Sequence, residues 1–251
     1  MTSQSFSWPS GKTAAISLSL DDARSSQLEH GLPLLNQYGV KATFYVNIGP
    51  LEKRADDWRG AVQQGHEIGN HTLHHPCSGN FRFSRSRALE DYSLERMEDE
   101  LLGANQAIEN LVGVRPTTFA YPCGQKFVGR GENVKSYVPL VARNFIVGRG
   151  FREEAPNDPT FCDLAQACGV DTDELTWEAL KVWIERAVES GGWLILAGHD
   201  VGAAARQTVR EDTLEALCRH VIDPAHGLWL DTVATIGTYI RNQNDGHNDL
   251  L

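Results

Sequence analysis

Ala14-Ala15-Ile16-Ser17-Leu18-Ser19-Leu20-Asp21-Asp22 is the stretch on which the reading of this chain turns. Residues 14–20 form a short apolar run that fits a buried strand, and two carboxylates emerge where it stops. About fifty residues on, Glu67-Ile68-Gly69-Asn70 is again strand-like and runs into His71-Thr72-Leu73-His74-His75. One carboxylate with two imidazoles is a mixed oxygen and nitrogen set. It suits a zinc-like divalent ion and leaves positions open for water. The second carboxylate is then free to act as a base on that water, so the two stretches together predict metal-assisted hydrolysis.

Outward from these two stretches, strand-like and helix-like segments alternate. Helical spacing over 25–38 precedes a β-branched and aromatic strand over 41–47, and a helix over 52–64 precedes the strand 66–70. The longest helical pattern covers 84–112 and leads to a strand over 117–121, broken at Pro122-Cys123-Gly124. A helix over 134–142 and a strand over 144–147 follow. Next comes a helix over 173–190, opened by an acidic first turn and stopped by Gly191-Gly192. The apolar strand 193–197 ends at Gly198-His199-Asp200. Segments 210–221, 228–230 and 232–241 complete the pattern, and 242–251 reads as a frayed tail.

Repeated strand-then-helix units predict a parallel sheet covered by helices. In a barrel of that kind the C-terminal strand ends form one rim. Asp21, Asp22, His71, His75, Tyr121 and His199 all follow strands, so they are expected to converge there. The expectation is an α/β protein forming one domain over 1–251, with its core at 13–240.

The chain has 23 basic and 33 acidic residues, a formal charge of -10, and 41% hydrophobic residues. No basic run is present, which excludes a phosphate-tracking nucleic-acid surface. The five cysteines, Cys77, Cys123, Cys162, Cys168 and Cys218, are odd in number and lack a CxxC pair. They do not resemble a secreted disulfide framework and are expected to pack as small apolar groups. The start, MTSQSFSWPSGKTAA, is not a standard secretory signal, and no apolar stretch approaches membrane-spanning length. A cytoplasmic protein without nucleic-acid or membrane partners is the plain expectation, its oligomeric state left open.

Taken singly, each candidate has a structural reading. An Asp pair after a strand is often a helix N-cap, histidines are often solvated or hydrogen-bonded, and His199 could simply end a strand. His74 lies within coordination reach by spacing, whereas His66 reads as a buried strand histidine. Convergence on one rim is what favours a site.

With these residues in place, the chain resembles the polysaccharide deacetylase family, also called the NodB-homology family or carbohydrate esterase family 4. Ser19-Leu20-Asp21-Asp22-Ala23 is similar to its first motif, and His71-Thr72-Leu73-His74-His75 to its second. The stretch 39–46 looks like the family's second strand. Tyr121-Pro122-Cys123-Gly124 keeps part of the third motif, and Leu194-Ile195-Leu196-Ala197-Gly198-His199 is similar to the fifth. The likeness runs from Thr13 to Val201.

The resemblance implies an irregular (β/α) barrel, seven-stranded. It implies Asp21 as general base, with Asp22, His71 and His75 as ligands of one divalent ion (zinc first, with cobalt, nickel or manganese as alternatives). His199 would be the acid that protonates the leaving amine. Tyr121, Cys123 and Arg149 are the candidate oxyanion and substrate contacts, the Cys123 backbone N–H foremost. Two departures stand out. Ala120 occupies the place of the arginine that tethers the base, with Arg149 as a replacement from another strand. Cys123 stands where an aromatic residue follows the proline. The fourth motif, source of an acid-orienting Asp and a sugar-side Trp, has no clean match; Asp158, Asp163, Asp171 and Trp177 are its candidates.

The function implied is metal-dependent deacetylation of an N-acetylated, or alternatively O-acetylated, carbohydrate, a hydrolysis of carbon–nitrogen bonds other than peptide bonds. The departures point toward a small or oligomeric substrate. Two other readings compete: hydrolysis of a cyclic amide, as in allantoinase-like relatives, and a carbohydrate-binding protein without turnover.

Overall fold

The computed structural model describes residues 6–248, with side chains described to Asp245. Strands β1 (Ala14–Asp21), β2 (Thr43–Val46), β3 (Glu67–Asn70), β4 (Thr118–Ala120), β5 (Val147–Arg149), β6 (Gly169–Asp171) and β7 (Trp193–Gly198) run parallel in the order β5-β4-β3-β2-β1-β7-β6. A parallel bridge between Arg149 and Ala167 joins the two ends of this row, giving a nearly closed barrel. β8 (Leu228–Leu230) pairs with the first half of β1, and β2 pairs with its second half.

The pleat of β1 explains its composition. Ile16, Leu18 and Leu20 pack in the large apolar cluster outside the barrel. There they meet Leu35 of α1 (Leu32–Gln37), Trp58 of α3 (Ala55–Gln63), Ile184 of α6 (Trp177–Ser190) and Leu217 of α7 (Glu211–Ile222). The alternate residues Ala15, Ser17, Ser19 and Asp21 share the other face, where space is narrow and side chains are small or polar. Ser17 Oγ accepts from Trp193 Nε1 at 3.1 Å, and Ser19 Oγ donates to Leu196 O at 2.8 Å. At the opposite end of the barrel from the site, α8 (Val233–Asn248) packs Val233, Ile236 and Ile240 against Trp8, Ala15 and Trp193.

Several boundaries differ from the sequence reading. The helix expected over 52–64 is broken at Arg54 into α2 (Ile48–Lys53) and α3. The helix expected from residue 84 starts only at Leu94, as α4 (Leu94–Val112), because Ser93 accepts from Arg96 N–H as its N-cap. Residues before it form two short 3₁₀ turns that bury Leu89 and Tyr92 in a second cluster with Met97 and Leu101. α5 is shifted to Val138–Asn144, because Lys135–Ser136 pairs with Phe127–Val128 as a small hairpin. β6 has no counterpart in the sequence reading, and the strand expected over 144–147 lies instead at Val147–Arg149 as β5. The tail expected to fray from 242 is helical to Asn248, while 249–251 lie outside the described residues. No described helix is long and apolar enough to cross a membrane.

Candidate active site

β1, β3 and β7 deliver Asp21, Asp22, His71, His75 and His199 to the same rim. β1 ends at Asp21, and Asp22 and Ala23 follow with φ of 78° and 52°. Left-handed backbone costs a residue with a Cβ about 1–2 kcal/mol; here the bend is anchored by Asp22 N–H donating to Tyr45 O at 2.9 Å. After β3 the chain bends again at Thr72 (φ 66°) and His75 (φ 52°). Asn70 Oδ1 accepts from Thr72 N–H (2.8 Å), and Thr72 Oγ1 accepts from His75 N–H (2.9 Å). Buried Glu100 of α4 holds this loop from below, accepting from His74 N–H and from its Nδ1 at 2.9 Å each, and from Tyr92 OH at 2.9 Å. His74 therefore points to Glu100 and away from the ligand cluster.

Asp22 Oδ1 lies 3.8 Å from His71 Nε2 and 3.7 Å from His75 Nε2. Ligands bonded at 2.0–2.2 Å to one ion stand roughly 3–4 Å apart, so this spacing fits a cation between them. Among the described residues, Asp22, His71 and His75 form a group able to hold a metal ion. The donors are also presented correctly. His71 Nδ1 donates to Ala120 O at 2.8 Å, which leaves its Nε2 lone pair toward Asp22. Asn47 Nδ2 donates to Asp22 Oδ1 (2.9 Å) and Arg24 Nη2 to Oδ2 (3.0 Å). Burial alone would raise the Asp22 carboxyl, but His71, His75, His199 and the Arg24 bond hold it at about 2. Burial and the neighbouring His71 push His75 down to about 4, so it is a neutral donor at pH 7.

Asp21 is buried beside this cluster, its carboxylate 4.0 Å from His71 Nε2. Arg149, fully buried, donates from Nη2 to Asp21 Oδ1 and from Nη1 to Gly150 O at 3.0 Å. Burial favours a raised carboxyl here too; the charge and hydrogen bond of Arg149 above all, with the imidazoles of His71 and His199, overcome it and hold Asp21 below its ordinary range. On the other side stands His199. Its Nδ1 bonds Asp173 Oδ2 at 2.6 Å and its N–H donates to Asp173 Oδ1 at 3.0 Å. Burial opposes the imidazolium, yet the Asp173 bond and the charges of Asp21 and Asp173 raise the His199 pKa above the ordinary 6.5. Gly198 makes this approach possible, since a Cβ there would meet Val209 at 2.3 Å and Asp173 Oδ1 at 3.2 Å.

Cys123 sits at φ 54° in the turn after β4. The hydrogen bonds that hold this turn run from Gly124 N–H to Tyr121 O (2.8 Å) and from Gln125 N–H to Pro122 O (3.1 Å), so its own N–H takes no part. Asp21, Asp22, His71, His75, Cys123 and His199 all line one cavity of 490 Å³. Tyr121 and Arg149, expected among the oxyanion and substrate contacts, lie behind its wall: Tyr121 is fully buried with its OH on Ala165 O (2.7 Å), and Arg149 bonds Asp21, in the place of the tether that it was also expected to replace.

Three supporting features escaped the sequence reading. The carboxylate that bonds His199 is Asp173; its acidic stretch reads as a helix start, but α6 begins after the Thr176 cap and leaves Asp173 in the loop after β6. None of the earlier candidates reaches His199: Asp158 holds Thr160, Asp163 caps Ala165, Asp171 pairs with Arg152, and Trp177 lies in a separate cavity with His220. Asp200 binds Arg24 and Ser26. Gln27, fully buried, donates to Asp21 O (2.6 Å) and His199 O (2.9 Å), tying the two strand ends together. Finally, Cys77 and Cys123 form a disulfide rather than packing separately, and so cross-link the loop after His75 to the turn after β4. No local spacing signals a pair 46 residues apart.

A parallel barrel thus gathers carboxylates and imidazoles at its C-terminal rim. Comparison with known proteins narrows this. Residues 9–136, about half of the chain, match the family described as polysaccharide deacetylase, and the chain belongs to that family. It is 32% identical over 143 residues to a gellan lyase of a Bacillus species, covering 57% of this chain and 5% of that protein. It is 29% identical over 118 residues to the peptidoglycan-N-acetylglucosamine deacetylase PgdA of Listeria monocytogenes, covering 46% of this chain and 23% of that one. The matches thus span only small parts of these relatives. Among solved structures, a proposed polysaccharide deacetylase from Mycobacterium smegmatis superposes with a TM-score of 0.71 at 16% identity, covering 95% of this chain and 93% of that one. A family 4 acetyl xylan esterase from Clostridium thermocellum, in complex with a cobalt ion, gives 0.58 at 20% identity, covering 90% and 91%. At these identities the structures speak for the fold.

Proposed function

We propose that this protein is a metal-dependent hydrolase that removes acetyl groups from an N-acetylated carbohydrate. The observation that carries the reading is the arrangement of three donor atoms around one point, with Asp21 and His199 on the same cavity. Asp22, His71 and His75 would hold the ion. A divalent cation held there supplies Lewis acidity and lowers the pKa of water from 15.7 to about 7. Asp21, kept ionised by Arg149, accepts a proton from the attacking water. The Cys123 N–H is the donor for the developing oxyanion. His199, kept protonated by Asp173, delivers a proton to the leaving nitrogen. Zinc is the first expectation, with cobalt, nickel or manganese as alternatives, and an O-acetyl ester would be handled by the same groups.

The complete ligand set and the paired base and acid speak against a cyclic-amide hydrolase and against a binding protein without turnover. The Cys77–Cys123 bond is of a kind that persists in oxidising surroundings, which weighs against the cytoplasmic expectation. The test combines metal analysis of the purified protein with an acetate-release assay on acetylated mono- and oligosaccharides. Wild type should carry stoichiometric metal and release acetate, and Asp22→Ala should do neither. Full metal retention by Asp22→Ala, or acetate release that survives chelation, would overturn the assignment.

A further inference from the structure

The mouth of the cavity carries groups that the hydrolytic step does not use. Phe81 and Phe83 are 42% and 68% exposed, and their rings stack with centroids 5.6 Å apart at 26°. They lie on the 3₁₀ segment between β3 and α4, whose base is clamped by the Cys77–Cys123 disulfide and by Ser84, bonded to both Cys77 N–H and Cys77 O at 2.8 Å. An exposed aromatic pair fixed beside a catalytic cavity is a platform for the apolar face of a sugar ring.

Four arginines line the same cavity: Arg24, Arg87, Arg152 and Arg206. Arg24 is engaged by Asp22 and Asp200, and Arg152 by Asp171. Arg87 and Arg206 are exposed, and neither forms an ion pair among the described residues. In a chain of net charge -10 with 33 acidic residues, two unpaired guanidinium groups at one opening mark a local positive field against the charge of the whole. Such groups favour carboxylate or phosphate through charge-assisted bonds.

We propose that the substrate is an anionic N-acetylated saccharide, its sugar ring laid on Phe81 and Phe83 and its carboxylate or phosphate taken by Arg87 and Arg206. This rests on the deacetylase reading of the cavity and adds the charge class of the substrate. Exposed ion pairs are individually weak, so the two arginines together should give a preference of about tenfold. Salt should erode it.

The experiment measures acetate release by the metal-loaded protein from three probes. These are neutral N-acetylchitotetraose, a hyaluronan tetrasaccharide carrying uronic carboxylates, and N-acetylglucosamine 6-phosphate. Binding of each is measured in parallel by calorimetry. At low ionic strength, kcat/KM should favour at least one anionic probe by about tenfold, the effect lying in KM. Which anionic arm wins distinguishes carboxylate from phosphate. The Arg87→Gln, Arg206→Gln double variant should lose the preference, its kcat/KM for the anionic probes falling to the level of the neutral one. Phe83→Ala should weaken all three. A wild type without anionic preference, or a double variant that retains it, overturns the inference. Should no probe release acetate, the deacetylase reading fails, and the calorimetric preference with its loss in the double variant still decides the charge class.

Discussion

Arg149 is the residue whose replacement tests the site most directly. Its guanidinium is fully buried, donates to Asp21 and Gly150 O, and lies 4.9 Å from the Tyr45 ring centre. Arg149→Met keeps an unbranched apolar stem and removes the charge. Asp21, itself buried, then loses its main cationic partner within the chain. Stranding one member of a buried ion pair costs about 3–5 kcal/mol, so the urea midpoint at pH 7 should fall by that equivalent. The same loss leaves burial, the largest influence on Asp21, without its main opponent. The carboxyl should rise, and the acidic limb of kcat/KM should move to higher pH. Turnover at neutral pH should fall by about 10²-fold or more, the scale of a lost general base. The double variant Asp21→Asn, Arg149→Met carries neither charge, so most of the stability should return while turnover stays at least as low as in Arg149→Met. An Arg149→Met protein within about 1 kcal/mol of wild type, or with an unmoved acidic limb, would refute this account.

Opening the Cys77–Cys123 bond frees a loop with a sequence separation of 46, for which chain entropy gives about 4 kcal/mol. Urea unfolding with and without reductant, and of Cys77→Ser, Cys123→Ser, checks this; an unchanged midpoint would contradict it. Asp173→Asn removes the charge that raises His199. His199 should then lose its proton at lower pH, and the alkaline limb of the kcat/KM profile should shift acidward. A limb that does not move would remove Asp173 from that role. His66 accepts from Ala42 N–H at Nδ1 (3.2 Å) and faces Asn36 Oδ1 at Nε2 (3.1 Å), and burial with nearby Lys41 lowers it to about 4 from 6.5. The unfolded chain takes up this proton before the folded one does. The contribution is therefore full above pH 6.5 and is lost as pH falls toward 4. Wild type should lose more stability between pH 7 and 5 than His66→Gln, as read from urea midpoints, and equal losses would exclude His66 as the source.

The residues legible in the sequence are those whose setting is local. Asp21, Asp22, His71, His75 and His199 each follow a short strand at its end, so strand periodicity alone puts them on one rim. Their supports are set by partners far along the chain. Asp173 reads as the acid of a helix start because Trp177–Ser190 follows so closely, and β6 is too short, at three residues, to stand out. Arg149 could be named as a replacement tether from another strand, but its contact with Asp21 depends on strand register. β4 and β5 pair with Ala120 opposite Arg149. Ala120 is the position where the resemblance places the base-tethering arginine, and its side chain ends at Cβ. The guanidinium of the cross-strand neighbour reaches Asp21 from beside it. A second arginine at position 120 would set two buried cations against one carboxylate, a poor exchange in a low-dielectric interior. Arginine at one position of this pair therefore favours a small residue at the other.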